Sequence, residues 1–288
     1  MDELTPIDRR LLGAAEQSTN PLAIDFQHSV LCQVGMPRQR QESRVFERRS
    51  GNVHLRLEAG SIYDGENFID QPLPYGTKPR LVMMYVAGEA IRRRTRTVDV
   101  GDSMRVFLLR LGIDTSGGKH GGYTLFKQQM QALAACRLQI GYTLDKRATT
   151  INTQPIEEFE AWVDEVGTHR TIWPGQLTLS ERFYETLLYH SVPLDHIALQ
   201  ALKHSALALD VYTWLAHRLC RLTKPAMLTW WNLKDQFGQE YHDLKNFKKE
   251  FRQALDQVKA VYLAARIEDV EGGILLRHSE PPIRKVQM

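Results

Sequence analysis

Twice along its length the chain passes through three segments with helical spacing and then through two alternating, β-branched segments joined by turn residues. In the second half, Ser205–Thr223 is a predicted helix. Thr229–Gly238 is a short second one, capped by Thr229 and stopped by Gly238, and Asp243–Lys259 is a long third. A predicted hairpin follows, with strands near Tyr262–Val270 and Ile274–Ser279 joined through Glu271-Gly-Gly273, a strong turn signal. In the first half, Val53, Leu55 and Leu57 alternate as a half-buried strand requires. Pro79 then suits the first turn of a helix over Arg80–Arg94, Asp102-Ser103 caps Met104–Leu111, and Tyr123–Ala135 forms a third helix. Leu138, Ile140 and Tyr142 alternate before a break at Leu144-Asp145-Lys146, and Arg147–Thr153 returns as the second strand of a hairpin.

Helix, helix, helix, hairpin is the winged-helix order, in which a recognition helix enters the major groove and the hairpin lies against adjacent backbone. The predicted fold class is α+β, two tandem winged-helix domains behind an N-terminal extension. Residues 1–50 are the extension, 51–172 the first domain and 173–288 the second, DNA-binding domain, with a linker near Asp164–Pro174. A chain of 288 residues has room for two such cores. Within the extension, a short helix is predicted around Asp8–Glu16. The stretch Arg38–Arg49 carries five arginines against two glutamates, the mark either of a solvated linker or of an arm that contacts phosphate.

The helix Asp243–Lys259 carries two stripes. Leu244, Phe247, Phe251, Leu255 and Val258 share one narrow face, and Lys245, Lys248, Lys249, Arg252 and Lys259 lie roughly 100° around the helix from it. A helix of this kind packs against a core and binds phosphate at once. In the first domain, His120, Thr124, Lys127, Gln128 and Gln131 share a face of the third helix, opposite Phe126, Met130 and Leu133. That face is either a polar solvent face or one that reads base edges, since Gln bonds adenine and Lys reaches guanine or phosphate. Lys119, in the glycine-rich entrance to the helix, favours a phosphate beside backbone NH groups. Lys146 and Arg147, at the tip of the first hairpin, complete the expected DNA-binding set.

Chemistry is harder to find. Gly112–His120 resembles a phosphate-binding loop, but its lysine is displaced by one position, no Ser or Thr follows, and a helix instead of a strand precedes it. His190, His196 and His204 show no metal-ligand spacing, and Cys32, Cys136 and Cys220 are scattered, without a CxxC pair. The histidine pair and nucleophilic tyrosine that strand nicking requires are missing as a combination. The expectation is a protein that is not an enzyme, with no catalytic residues, no metal and no cofactor, its cysteines reduced and partly buried. Trp230-Trp231 reads as one buried and one half-buried aromatic. A net charge of +3 permits a nucleic-acid partner without demanding one. No apolar run approaches the roughly 18–20 residues that span a bilayer, and the opening MDELTPIDRR lacks the order of a secretory signal, so the expected location is the cytoplasm, away from membranes.

Several segments, taken in order, carry a resemblance. They are Leu73-Pro-Tyr-Gly-Thr-Lys-Pro-Arg-Leu81, Val100-Gly-Asp-Ser103 with the later Gly-Gly-Lys119 turn, Ser205–Leu219, Trp231–Tyr241, and Gly273-Ile-Leu-Leu-Arg277 with Ser279-Glu-Pro-Pro-Ile283. From about Gln71 to Ile283 the chain resembles the plasmid-encoded RepA replication initiators. The resemblance implies an initiator that binds repeated sites, or iterons, in double-stranded plasmid origin DNA and helps open an AT-rich segment. It also implies recruitment of a host replication initiator and helicase, and a homodimer in equilibrium with monomer that acts in copy control. The alternative is a winged-helix transcriptional repressor, acting on its own gene.

Overall fold

The computed structural model describes residues 24–113, 122–144, 147–158 and 175–283, together with Leu11. The chain opens with β1 (Ile24–His28), α1 (Ser29–Val34), β2 (Val45–Ser50), β3 (Val53–Glu58), β4 (Ser61–Tyr63) and β5 (Phe68–Asp70). It continues through α2 (Thr77–Arg93), β6 (Thr97–Asp99), α3 (Met104–Arg110), α4 (Gly122–Ala135), β7 (Arg137–Leu144), β8 (Arg147–Thr153) and β9 (Ile156–Glu158). Next come β10 (Gln176–Leu179), α5 (Glu181–His190), β11 (Ser191–Asp195), α6 (His196–Leu202) and α7 (Ala206–Arg218). The chain closes on β12 (Ala226–Thr229), α8 (Trp230–Phe237), α9 (Leu244–Val261), β13 (Ile267–Val270) and β14 (Gly273–Leu276). The fold is mixed α/β, arranged around two hydrophobic cores.

The first core is covered by the antiparallel sheet β2-β3-β7-β8, whose Phe46, Leu55, Leu57, Leu138 and Ile140 point inward. Phe107 of α3 and Phe126, Met130 and Leu133 of α4 fill it. The second core gathers Leu209, Tyr212 and Trp214 of α7, Phe237 of α8, six residues of α9 and the inner face of the sheet β12-β14-β13. Helix α2 lies between them: Val82, Met83 and Val86 enter the first core, while Leu81 and Met84 enter the second. A helix covered on both sides has no wet stripe to show, which is why α2 is apolar all round over its middle turns, Leu81–Gly88.

In the second half, the elements run helix α7, strand β12, helices α8 and α9, then the β13–β14 hairpin, and β12 pairs with β14 to close the sheet. Strand β12 is absent from the sequence reading, as are β10, α5, β11 and α6 ahead of α7. The first half repeats the order with α2, β6, α3, α4, β7 and β8, but pairs it differently. There β6 joins β10 and β9, and the hairpin is widened by β3 and β2.

Residues 24–50 correct the expected extension. Strand β1 pairs antiparallel with β11, and β2 pairs along its whole length with β3. The arginine-rich stretch is therefore neither a free linker nor a free arm. In β2 the period-2 alternation turns Phe46 and Arg48 inward and leaves Val45, Glu47 and Arg49 exposed. The charge run hid a strand because one of its inward residues is itself an arginine. Strand β10 and helix α5 also belong with the first core, through Leu177, Leu179, Phe183 and Leu187. The chain thus passes to the second core near β11, later than the expected boundary at 172/173. The expected helix around 8–16 and the expected linker over 164–174 lie outside the described residues, Leu11 apart, which packs into the second core. Cys32 and Cys136 are buried and Cys220 half-buried, all free thiols.

A buried ion pair ties the halves together. Arg80 of α2 donates from Nε and Nη2 to the two carboxylate oxygens of Asp210 in α7, at 2.7 and 2.9 Å. Its remaining donors reach the carbonyls of Pro37, Gly76 and Met36 at 2.9, 2.7 and 2.6 Å, so all five N–H groups of the guanidinium are used. Removing one partner leaves a charge buried without compensation, a loss of about 3–5 kcal/mol. Arg80→Met, which keeps the apolar stem, is expected to lower the unfolding free energy obtained from urea titration by that order. A loss below about 1 kcal/mol would show that the pair does not organise the fold.

His28, at the end of β1, caps α1 by accepting from the Val30 amide through Nδ1, while its Nε2 is buried without a partner among the described residues. Burial, and then the neighbouring His190, lower its pKa from 6.5 to about 4. The unfolded chain therefore takes up a proton first as pH falls through that window, and stability declines with it. His28→Asn keeps a capping acceptor and is expected to flatten the decline between about pH 6.5 and 4 in thermal melts; an unchanged slope removes His28 as its cause.

Candidate nucleic-acid interface

Helix α9 begins where Asp243 Oδ1 accepts from the Asn246 amide at 2.7 Å, and it buries Phe247, Phe251, Leu255 and Val258 in the second core, with Leu244 half-buried beside them. The apolar stripe read from the sequence is thus the packed face. The cationic stripe lies outside it: Lys245, Lys249 and Arg252 are exposed, and Lys248 and Lys259 are half-buried.

Two of these cations rest on a platform. Trp230, buried at the start of α8, has the Arg252 guanidinium carbon 4.7 Å and the Lys248 ammonium 5.7 Å from its ring centroid. Such cation–π contacts hold long side chains in place without neutralising them. The Trp230 amide in turn donates to the carbonyl of Gly272, at 3.0 Å, in the turn between β13 and β14. That turn needs glycine, since Gly272 has φ +83°. Hairpin tip, Trp230 and the cationic stripe therefore form one rigid unit. Arg252 also lies 3.7 Å from the carboxylate of Asp269 in β13, with both side chains about half exposed.

Trp231 departs from the sequence reading. The pair reads as one buried and one half-buried aromatic, but 68% of the Trp231 surface is exposed, against 4% for Trp230. The two neighbours point about 100° apart on a helix, so burying one in the core turns the other outward.

In the first half, α4 buries Phe126, Met130 and Leu133 as expected, and Gln129 as well, whose Oε1 accepts from the Tyr75 amide at 2.7 Å. Gln128 is exposed, and Thr124, Lys127 and Gln131 are half-buried on the outer side. Arg147 is exposed in β8. Lys119, His120 and Lys146 lie outside the described residues. The α4 and α9 sets sit over different cores, so the structure does not merge them into a single site. Among the described residues there is no group of three or more His, Cys, Asp or Glu that could hold a metal ion, and no helix is long and apolar enough to cross a membrane.

A mixed α/β chain that carries a cationic helix braced by a short sheet has the make-up of a protein that engages nucleic-acid backbone. The chain belongs to the family of plasmid-encoded RepA replication initiators: the family model for plasmid-encoded RepA protein matches residues 73–232, more than half of the sequence. The matched region runs from the loop before α2 to the start of α8, and so ends short of α9. No curated protein matches the chain. Among solved structures, it is similar to domains 2 and 3 of RctB, with a TM-score of 0.52 and 11% identity, covering 88% of this chain and 97% of that one. A second crystal structure of RctB domains 2–3 gives a TM-score of 0.49, also at 11% identity, covering 86% of this chain and 94% of that one. At that identity the likeness is one of fold.

The Asp269 carboxylate opposes any polyanion approaching Arg252. A unit charge about 7 Å from a phosphate in water repels it by roughly 0.6 kcal/mol, about a threefold effect on affinity. Asp269→Ala is accordingly expected to tighten binding to duplex DNA about threefold at low salt, in fluorescence anisotropy, with the gain vanishing at high salt. Equal affinities at low salt would place α9 away from the bound backbone.

Proposed function

We propose that the protein is a non-catalytic plasmid replication initiator that binds repeated origin sites as double-stranded DNA through two winged-helix lobes. The observation that carries this reading is the cationic stripe of α9, braced on Trp230 and next to the β13–β14 hairpin, in a chain of the RepA family. The order helix, strand, helix, helix, hairpin in the second half, with its sheet β12-β14-β13, supports a winged helix there. The same order in the first half supports a second one, modified by the wider sheet. In this reading α9 anchors the protein on phosphate through Lys245, Lys248, Lys249 and Arg252. Gln128, Gln131, Lys127 and Thr124 of α4 contribute base reading, and Arg147 steadies the first hairpin on the backbone.

The mechanism is energetic. Contacts to successive grooves are strengthened when the duplex bends or untwists, and the strain is passed to a neighbouring AT-rich segment, which opens. The host replication initiator and helicase are then recruited to the opened strand, and a homodimer in equilibrium with the DNA-binding monomer adjusts copy number. The protein acts in the cytoplasm.

Binding to DNA flanking the protein's own gene provides the test. Lys248→Ala and Arg252→Ala are each expected to weaken binding and to reduce the slope of log affinity against log salt by about one. If neither variant alters affinity or slope, α9 is not the anchoring helix. Protection of direct repeats beside an AT-rich tract supports initiation, whereas a single protected palindrome over a promoter overturns it in favour of repression.

A further inference from the structure

The connection between α8 and α9, residues 238–243, is clamped to the first half of the chain. Arg48 of β2 donates from Nη2 to Glu240 Oε1 at 2.9 Å, from Nε to Gln239 Oε1 at 3.3 Å and from Nη1 to the Val34 carbonyl at 3.2 Å. Arg38 donates to the Phe237 carbonyl and pairs with the other oxygen of Glu240. One turn earlier, Gln236 Nε2 donates to the Gln33 carbonyl at 2.7 Å. The side chains of Arg48, Arg38 and Glu240 are 0, 5 and 10% exposed, so these bonds are shielded from solvent. Burial and then the adjacent Arg38 bring the Arg48 guanidinium down to about 10, which leaves it charged at neutral pH. Burial would raise the Glu240 carboxyl, yet Arg38 and Arg48 hold it below its ordinary value.

The clamp meets a sheet that also carries the other proposed reading helix. Helix α4 runs into β7 with Cys136 alone between them, and β7 pairs with β3, which pairs with β2. Glu240 stands three residues before Asp243, the cap of α9. Both helices are therefore fastened to one rigid sheet, α4 by chain continuity through β7 and α9 by Glu240 through Arg48 of β2.

We propose that Glu240 is a positioning residue that sets α9 relative to α4, so that the protein selects DNA sites by the spacing between the segments the two helices contact. The inference rests on the proposed origin binding. A duplex with the right half-sites at the wrong spacing would satisfy one helix or the other, because the clamp does not let the second follow. Gln239 serves the same setting by accepting from the Arg48 guanidinium, and Gln236 by an uncharged hydrogen bond to the Gln33 carbonyl.

The test uses the full-length protein, the natural site and a derivative with about five base pairs, half a helical turn, inserted between the two protected segments. Wild type is expected to lose at least about tenfold in affinity on the insertion. Glu240→Gln, and Gln236→Ala, which removes no charge and guards against loss of folding, are expected to reduce that spacing penalty at least about threefold while keeping the wild-type far-ultraviolet spectrum. A merely structural contact would weaken both duplexes equally. The proposal is overturned if the penalty is unchanged in folded Gln236→Ala and Glu240→Gln, or if wild type tolerates the insertion. Failure of wild type to bind either duplex overturns origin binding itself, and the spacing rule with it.

Discussion

Arg80 and Asp210 meet in the interior, 130 residues apart in sequence, and much of the molecule is arranged so that they can. Each ion costs several kcal/mol to withdraw from water, and attraction alone seldom offsets that cost. Here the guanidinium has an acceptor for every N–H, three of them main-chain carbonyls from the segment around 36–37 and the entrance to α2. The carboxylate is approached so closely by the turn after α1 that a Cβ at Gly35 would lie 3.0 Å from it, at a φ of +60° that disfavours other residues. The pair thus fixes the N-terminal segment, α2 and α7 in one arrangement. Both cores close around it.

The Arg38–Arg48–Glu240 cluster extends the same device towards the surface. Arg38 belongs to both, since its Nη1 lies 3.6 Å from Asp210 while its Nη2 reaches Glu240. In the proposed function α9 holds phosphate and is pulled on by it, and a loosely attached helix would yield. Anchoring the connection before α9 with shielded charge-assisted bonds resists that pull in a way that exposed, salt-screened pairs would not. The cationic stripe itself stays near solvent, where it can exchange water for phosphate.

Local physics is legible along most of the chain. The stripe of Phe247, Phe251, Leu255 and Val258, the caps at Thr229 and Ser103, and the glycine turn before β14 depend on residues within a few positions of one another, and all are where their spacing predicts. Burial is less legible. Trp230 and Trp231 are chemically identical neighbours, and only the direction of the core separates them. Gln129 falls among apolar residues on the inner side of α4 because the Tyr75 amide needs an acceptor there, a demand that arises 54 residues away. Strand β12 is four residues long and half exposed, and it becomes a strand by pairing with β14.

The sequence by itself determined the helices α2, α3, α4, α7, α8 and α9 with the two hairpins β7–β8 and β13–β14, because periodicity and capping are written in neighbouring residues, and the resemblance to the RepA family, because several of its segments recur in order. Tertiary structure decided which arginines are free to meet a ligand. Arg48 and Arg252 look alike in a charge count, but Arg48 finds Glu240 192 residues further on and disappears into the interior, while Arg252 stays on the surface over an aromatic ring. An ion pair of that kind is set by two things the local sequence does not contain: where the chain returns, and how much water remains when it does.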